Sequence, residues 1–211
     1  MRKILKAVKQ VLKVKKSMLK RMIINPTLPK NKDGRVLVHV GCGDMNDSRY
    51  VNVDARPLAH VHHITKNIDD LWFLPNNSVD LIYMCHVLEH FDRKKVQDVT
   101  IESFRVLKKN GIFRISVPDF DTIVKIYQET DGNIERILAP LFGGQDYAFN
   151  YHYNAFNKNS LSKLFLENGF SEVRSWSPNK INEHTFDDWA DKKIEINQTK
   201  YGISLNLEAI K

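Results

Sequence analysis

Cysteine is scarce: Cys42 and Cys85 are the only two in 211 residues. Two thiols cannot build a disulfide framework, and neither belongs to a C-x-x-C zinc pattern, so a reducing cytoplasm suits the chain. Long apolar runs are missing as well. Lys9, Lys13, Lys15 and Lys16 interrupt every stretch near the N-terminus that could form the core of a signal peptide or a membrane span, so neither is expected. Glycine and proline, 9 and 7 residues, are too few for collagen-like or low-complexity sequence. Acid is absent from residues 1–32, where 11 of the 32 Lys and Arg lie; residues 33–211 hold the other 21 against all 25 Asp and Glu and are net −4. A nucleic-acid enzyme spreads its bases over a binding face, so this segregation argues against nucleic acid as partner and for an electrostatic arm.

The arm reads as an amphipathic helix. Ile4, Leu5, Val8, Val11, Leu12, Met18, Leu19 and Met22 recur at helical spacing on one side, Lys3, Lys6, Lys9, Lys13, Lys16 and Lys20 fall mainly on the other, and Asn25-Pro26 stops the run. Two readings fit: a helix lying on an anionic membrane surface at its cytoplasmic face, or one docked on the body with a solvated lysine side. Residues 1–33 are thus expected to be a basic helix and linker, and residues 34–211 one α/β domain.

Within the domain, Arg35 to Val40 is a β-branched run suited to a strand buried on both faces of a parallel sheet. Tyr50 to Asp54, Val61 to Ile64, Val79 to Met84 and Ile112 to Val117 are further strand candidates, and Lys94 to Lys108, closed by Asn110-Gly111, is the clearest crossover helix. Helices near Thr122 to Glu129 and Leu161 to Asn168 flank an aromatic-rich loop from Leu141 to Phe156. Ser171 to Trp176 and Ile203 to Ile210 finish the chain as strands. The expected fold is a Rossmann-like, doubly wound, mostly parallel sheet with a reversed C-terminal edge hairpin.

Gly41-Cys42-Gly43 follows the first strand, where glycine lets a backbone come close to a cofactor. Asp54, ending the second strand, can accept both hydroxyl hydrogens of an adenosine ribose. Asn46 stands where a dinucleotide fingerprint needs its third glycine, which disfavours an oxidoreductase. Taken together, HVGCGD, VNVDA, IDDLWFLPNNSVDLIYMCHVLEHF and RVLKKNGIFRISVPDF resemble class I S-adenosylmethionine-dependent methyltransferases, in particular the small bacterial type 11-like group. The resemblance is strong over Val36 to Phe120 and weaker in GGQDYAFNYHYNAF and LFLENGF.

The resemblance implies S-adenosylmethionine as cofactor, with Gly41, Cys42 and Gly43 around its methionine part, Asp54 on the ribose, and Asp69, Asp70 and Leu71 beside the adenine. Cys85, His86 and Glu89 would close beneath the sulfonium. His39 stands where many relatives carry an acid that steadies the methionine ammonium, and Gly43 to Tyr50 is short for a crossover helix, so the N-terminal helix is expected to cover the sheet face left bare. The sulfonium is already activated, so the protein mainly aligns an acceptor, and an alcohol acceptor also needs a base. His152, among Tyr147, Phe149, Tyr151, Tyr153 and Phe156, leads the candidates; His90 and Asp119 are the others.

No metal is expected: His60, His62 and His63 are near neighbours on a strand and point to opposite faces. The acceptor is expected to be a small molecule or a glycan or lipid-linked glycan, methylated on oxygen or nitrogen. The alternative is a non-catalytic scaffold working through its N-terminal helix. If the arm lies on membrane, removing residues 1–24 should abolish cosedimentation with anionic vesicles, and salt should weaken the attachment of the full chain; salt-insensitive or absent attachment selects the docking helix.

Overall fold

In the computed structural model, residues 28–178 and 180–211 are described. The expected amphipathic helix therefore lies outside the described residues, except for the linker, where Leu28 packs against the core. Among the described residues no helix is long and apolar enough to cross a membrane.

The strands are β1 (Leu37–Val40), β2 (Tyr50–Asp54), β3 (His63–Ile64), β4 (Val79–Cys85), β5 (Leu107–Pro118), β6 (Glu172–Ser175), β7 (Lys193–Ile196), β8 (Thr199–Gly202) and β9 (Ser204–Ile210). Helices α1 (Arg93–Val106), α2 (Phe120–Glu129), α3 (Leu138–Phe142) and α4 (Lys158–Glu167) lie between them. The main sheet runs β3-β2-β1-β4-β5-β9-β6. Its first five strands are parallel, and β9 runs antiparallel between β5 and β6. This is the expected α/β, Rossmann-like sheet with its reversed hairpin at one edge.

One face of the sheet carries Val38, Val40, Val51, Val53, Ile82 and Met84, packed under Val96, Val99 and Val106 of α1 and Leu161 and Phe165 of α4. Asp92 caps α1 by accepting from the Lys95 N–H. The helix ends at Val106 rather than Lys108, because Leu107 already pairs with Val79. Asn110, expected to close the helix with Gly111, instead takes a left-handed turn (φ +63°) inside β5, where the register shifts between Val79 and Leu81.

The other face shows Leu37, His39, Tyr50, Leu81 and Tyr83. The N-terminal helix expected over this face lies outside the described residues; Gly41 to Arg49 connects β1 to β2 without a helix, leaving the face to be covered from elsewhere. Trp176, Ile181, Phe186 and Ala190 cover it. Polar contacts hold this covering segment down: Trp176 Nε1 donates to Ile115 O at 3.1 Å, Tyr50 Oη to Glu183 O at 2.7 Å, and Arg49 Nη1 to Asn182 O at 2.7 Å. Arg35 pairs with Glu183 at 2.7 Å. Arg114, itself paired with Glu208 across β5 and β9, lies 5.3 Å from the Trp176 ring.

The expected loop from Leu141 to Phe156 is mostly irregular, with α3 entering its start. The hairpin β7–β8 was not foreseen. Its turn residues Asn197 and Gln198 both take left-handed angles, φ +49° and +64°, which glycine normally supplies.

His39 is buried among Tyr50, Tyr83 and Phe186, with ring centroids 5.9, 5.0 and 5.3 Å away. Burial outweighs the Asp188, Asp47 and Asp54 charges nearby and pushes its imidazole down to about 4 from 6.5. Between those values the unfolded chain binds a proton that the folded chain refuses. Stability from this residue is therefore complete above pH 6.5 and falls, by about 3 kcal/mol, as the pH drops toward 4. Urea unfolding across that range should show a decline that a His39→Phe variant lacks; parallel curves would rule it out.

Candidate active site

The carboxyl ends of β1, β2 and β4 open into a cavity of about 930 Å³. Gly41 forms its floor with φ +68°, and a Cβ there would lie 2.3 Å from Val87 Cγ2. The turn therefore admits only glycine, for conformation and for space. The Gly41 and Cys42 N–H groups both donate to Val53 O, at 2.8 and 3.2 Å. Asp54 ties the turn to β2: its Oδ2 accepts from Gly43 N at 2.8 Å and its Oδ1 from Arg56 N at 2.8 Å, with Arg56 Nε at 3.3 Å. Both cysteines are inert thiols. Burial pushes Cys42 up to about 12 and Cys85 well above its ordinary range.

Gly41, Cys42, Gly43, Asp54, Cys85 and His86 all line the cavity. Asp69, Asp70 and Leu71 do not. Leu71 is a core residue whose N–H is taken by Glu102 Oε1 at 2.7 Å, and Asp69 lies 3.4 Å from Lys95 Nζ. The wall on that side is made by Thr65, Lys66 and Ile68, which the sequence pattern did not single out. The histidines near β3 have separate structural roles: His60 Nε2 lies 2.9 Å from Gly43 O, His62 Nδ1 accepts from Asn52 N, and His63 stacks on Phe73.

After β4 the chain turns sharply at His86 (φ +51°) into a 3₁₀ turn, Leu88–His90. Glu89 is fully buried beneath the cavity wall. Burial alone raises a carboxyl pKa, but the His86 imidazole, 3.3 Å away, and His90 outweigh it and hold Glu89 below its usual range. The Glu89 carbonyl accepts from Tyr153 N at 2.8 Å, and Asn154 Nδ2 donates to Phe91 O. These bonds pin the aromatic loop onto the 3₁₀ turn. At the root of that loop Gly143 has φ +80°, and a Cβ would lie 2.4 Å from Asn150 O, so the loop folds tightly back on itself.

The pinned loop brings His152 to His90, with ring centroids 4.9 Å apart. Both line the cavity. His90 sets both nitrogens against carbonyls, Nδ1 3.1 Å from Tyr151 O and Nε2 3.1 Å from His86 O. His152 Nδ1 lies 3.1 Å from Pro140 O; a carbonyl only accepts, so the proton belongs on Nδ1 and Nε2 keeps its lone pair. Burial lowers the His152 pKa. Glu89, His90 and His152 also bring one ligand-type atom each within 4.8 Å of one another, so the donor set that could hold a divalent cation is this trio and not His60, His62 and His63.

Asp119 is not a cavity group. It caps α2, accepting from Asp121 N at 3.3 Å and Thr122 Oγ1 at 2.7 Å. The opposite wall holds residues with no motif around them: Arg136, Asp187, Asp188, Trp189 and Lys192. Their only sequence signal is aromatic and acidic residues packed into FDDWAD.

The arrangement suits S-adenosylmethionine: a glycine turn that excludes any Cβ, a buried ribose-ready carboxylate, and next to them an aromatic-lined chamber carrying a neutral imidazole. Residues 42–115 match the family described as a methyltransferase domain, Methyltransf_11. No curated protein matches the chain. Among solved structures the fold resembles a SAM-dependent methyltransferase from Archaeoglobus fulgidus, at 16% identity and TM-score 0.55, covering 94% of each chain. A SAM-dependent methyltransferase from Methanosarcina mazei shares 16% identity at TM-score 0.53, over 90% of this chain and 96% of the other. The 1,6-didemethyltoxoflavin-N1-methyltransferase of Burkholderia thailandensis, solved with its substrate and S-adenosylhomocysteine, gives 16% and 0.53, over 92% and 76%. Residues 42–115 thus match a methyltransferase-domain family, and the sheet around them has the fold of SAM-dependent methyltransferases.

Proposed function

We propose that the methyl group goes to an oxygen or nitrogen of a small or glycan-type acceptor seated under the aromatic loop, with His152 as the base. The cavity is at the upper end of the roughly 300–1,000 Å³ common for ligand sites, which suits a cofactor plus an acceptor of modest size. Tyr147, Phe149, Tyr151 and Tyr153 line it and remain 40–65% exposed. Ring faces of this kind suit a sugar or another flat partner. Arg136 adds a positive charge to the cavity lining, whereas Lys192 is paired with Asp187 at 2.8 Å; the arginine favours an acceptor that carries a phosphate or carboxylate.

Bound S-adenosylmethionine supplies an electrophilic methyl that needs no further activation. The residues then divide the work. Asp54 accepts from the ribose hydroxyls, with the 3.3 Å Arg56 Nε contact as the one a hydroxyl replaces. Gly41, Cys42 and Gly43 follow the cofactor's chain closely. Asp69, Asp70 and Leu71 act behind Thr65, Lys66 and Ile68, as support for the adenine wall rather than as direct contacts. His86 and Glu89 hold the turn beneath the reacting centre, and Cys85 fills the wall. His152 Nε2, unprotonated at neutral pH, takes the acceptor's proton; that His152 lines the cavity with Nδ1 held by Pro140 O and Nε2 left as the basic nitrogen is what supports the catalytic reading.

Asp54→Asn should lower S-adenosylhomocysteine affinity at least tenfold in calorimetric titration, with a modest fall in thermal midpoint because the amide can accept only one of the Gly43 and Arg56 N–H groups; unchanged affinity would remove the ribose assignment. Incubating the protein with methyl-labelled S-adenosylmethionine and a panel of nucleotide sugars, sugar phosphates and glycolipids tests the acceptor class. With an acceptor in hand, His152→Ala should cut kcat by about 10²–10⁴. Because burial lowers the His152 pKa, the wild-type rate should rise with pH along a limb centred below 6.5 and stay level above it. A variant that keeps that limb would displace His152 as base, and a rate abolished by chelator but restored by a divalent cation would recast it as a ligand.

A further inference from the structure

Asp54 divides the cavity. On the β3 side its wall is Thr65, Lys66 and Ile68; on the side of β1 and β4 it is His39, Cys85 and His86, with Asp188 from the covering segment. An adenine suits the side that offers Ile68 and no acid. The other end of the cofactor, an amino acid bearing a primary ammonium, must then extend toward β1 and β4, where the residue nearest the glycine turn, His39, is a buried neutral imidazole that cannot pair with a cation.

Four carboxylates line the cavity: Asp44, Asp54, Asp187 and Asp188. Asp54 is committed to the turn and Arg56. Asp44 has a side chain 85% exposed, 4.0 Å from Arg56, and Asp187, 91% exposed, is paired with Lys192 at 2.8 Å. Asp188 differs from all three. It is 9% exposed and, among the described residues, no lysine or arginine pairs with it. Its oxygens accept from Tyr83 Oη at 2.5 Å, from Ala190 N at 3.0 Å and from His184 Nε2 at 3.2 Å. His184 Nε2 lies almost as close to the second oxygen, at 3.3 Å; one N–H shared between two oxygens satisfies neither fully and leaves room for a further donor. The Tyr83 ring that anchors it lies 5.0 Å from the His39 ring, so this carboxylate stands beside the end of β1, and the donors around it overcome the effect of burial and keep it ionised.

We propose that Asp188 receives the ammonium of the cofactor's amino-acid end, a contact made by the covering segment rather than by β1. The inference rests on the S-adenosylmethionine reading of the site. A buried carboxylate whose one ion-pair partner is an imidazole, with neither lysine nor arginine beside it, is costly to keep ionised, and a ligand ammonium strengthens the pairing. The same aspartate also caps the 3₁₀ turn Trp189–Asp191, so the test must separate charge from scaffolding.

Asp188→Asn does so, because asparagine keeps an oxygen for the Ala190 N–H of the cap and turns its amide N–H toward Tyr83 Oη, which can accept it, but carries no charge. The probes are S-adenosylhomocysteine and 5′-methylthioadenosine, which shares the adenosine and sulfur but has no ammonium. The expected result is a 10- to 100-fold loss of S-adenosylhomocysteine affinity, with 5′-methylthioadenosine affinity within about twofold of wild type. Equal losses for both ligands would make Asp188 a scaffold, and no loss for either would place the ammonium elsewhere; each overturns the proposal. Failure of the wild-type protein to bind either ligand would instead bring down the cofactor reading, and the proposal with it.

Discussion

The connection from Gly41 to Arg49 is too short to fold a helix and lie back on the sheet, and much of this molecule follows from that limit. A parallel sheet needs both faces covered, and here β1 and β4 would present Leu37, His39, Leu81 and Tyr83 to water. The chain covers them with Trp176 to Ala190, a stretch without regular structure over most of its length, held by Trp176 on Ile115 O and Tyr50 on Glu183 O. Irregular backbone is costly to bury unless its polar groups find partners. That is why side chains from the sheet, Arg49 and Tyr50 among them, reach up to its carbonyls.

The same constraint shapes the active site. In covering the sheet the segment carries Asp188 and Trp189 to the cavity wall, and Ser204 links the two sides by donating to Trp189 O while His86 Nε2 lies 2.8 Å from its hydroxyl. The reacting end is built by a different device. There the buried Glu89 turn and the aromatic loop are locked by backbone bonds, so His152 is positioned by main chain on one side and by Pro140 on the other. Rigid support of this kind would hold the proposed base in place without spending side-chain entropy at the moment of reaction.

The part of the fold legible in the sequence is the part governed by local pattern. β2 runs from Tyr50 to Asp54 as its alternation implies, and the glycine turn and Asp54 meet because both end adjacent parallel strands. Where distant pairing decides, pattern fails. Lys94 to Lys108 looks like a helix to its end, yet Leu107 leaves early to pair with Val79. Asp119 reads as a cleft acid because it follows β5, but its carboxylate is consumed by the cap of α2. Asp69, Asp70 and Leu71 lie one step beyond the residues that face the cavity. Asp188, Trp189 and Lys192 were invisible as site residues, since nothing local marks a loop that returns to the first strand from so far along the chain.

β9 lies between β5 and β6, although β6 precedes it in the chain by the whole covering segment and the β7–β8 hairpin. Until β9 arrives, the stretch of β5 from Ile112 to Pro118 that it pairs with is an open, largely apolar edge with its N–H and C=O groups unsatisfied. Such an edge is a template for another chain's strand. Pairing by β9 closes that edge, and the Arg114–Glu208 ion pair across the two strands helps to keep it closed.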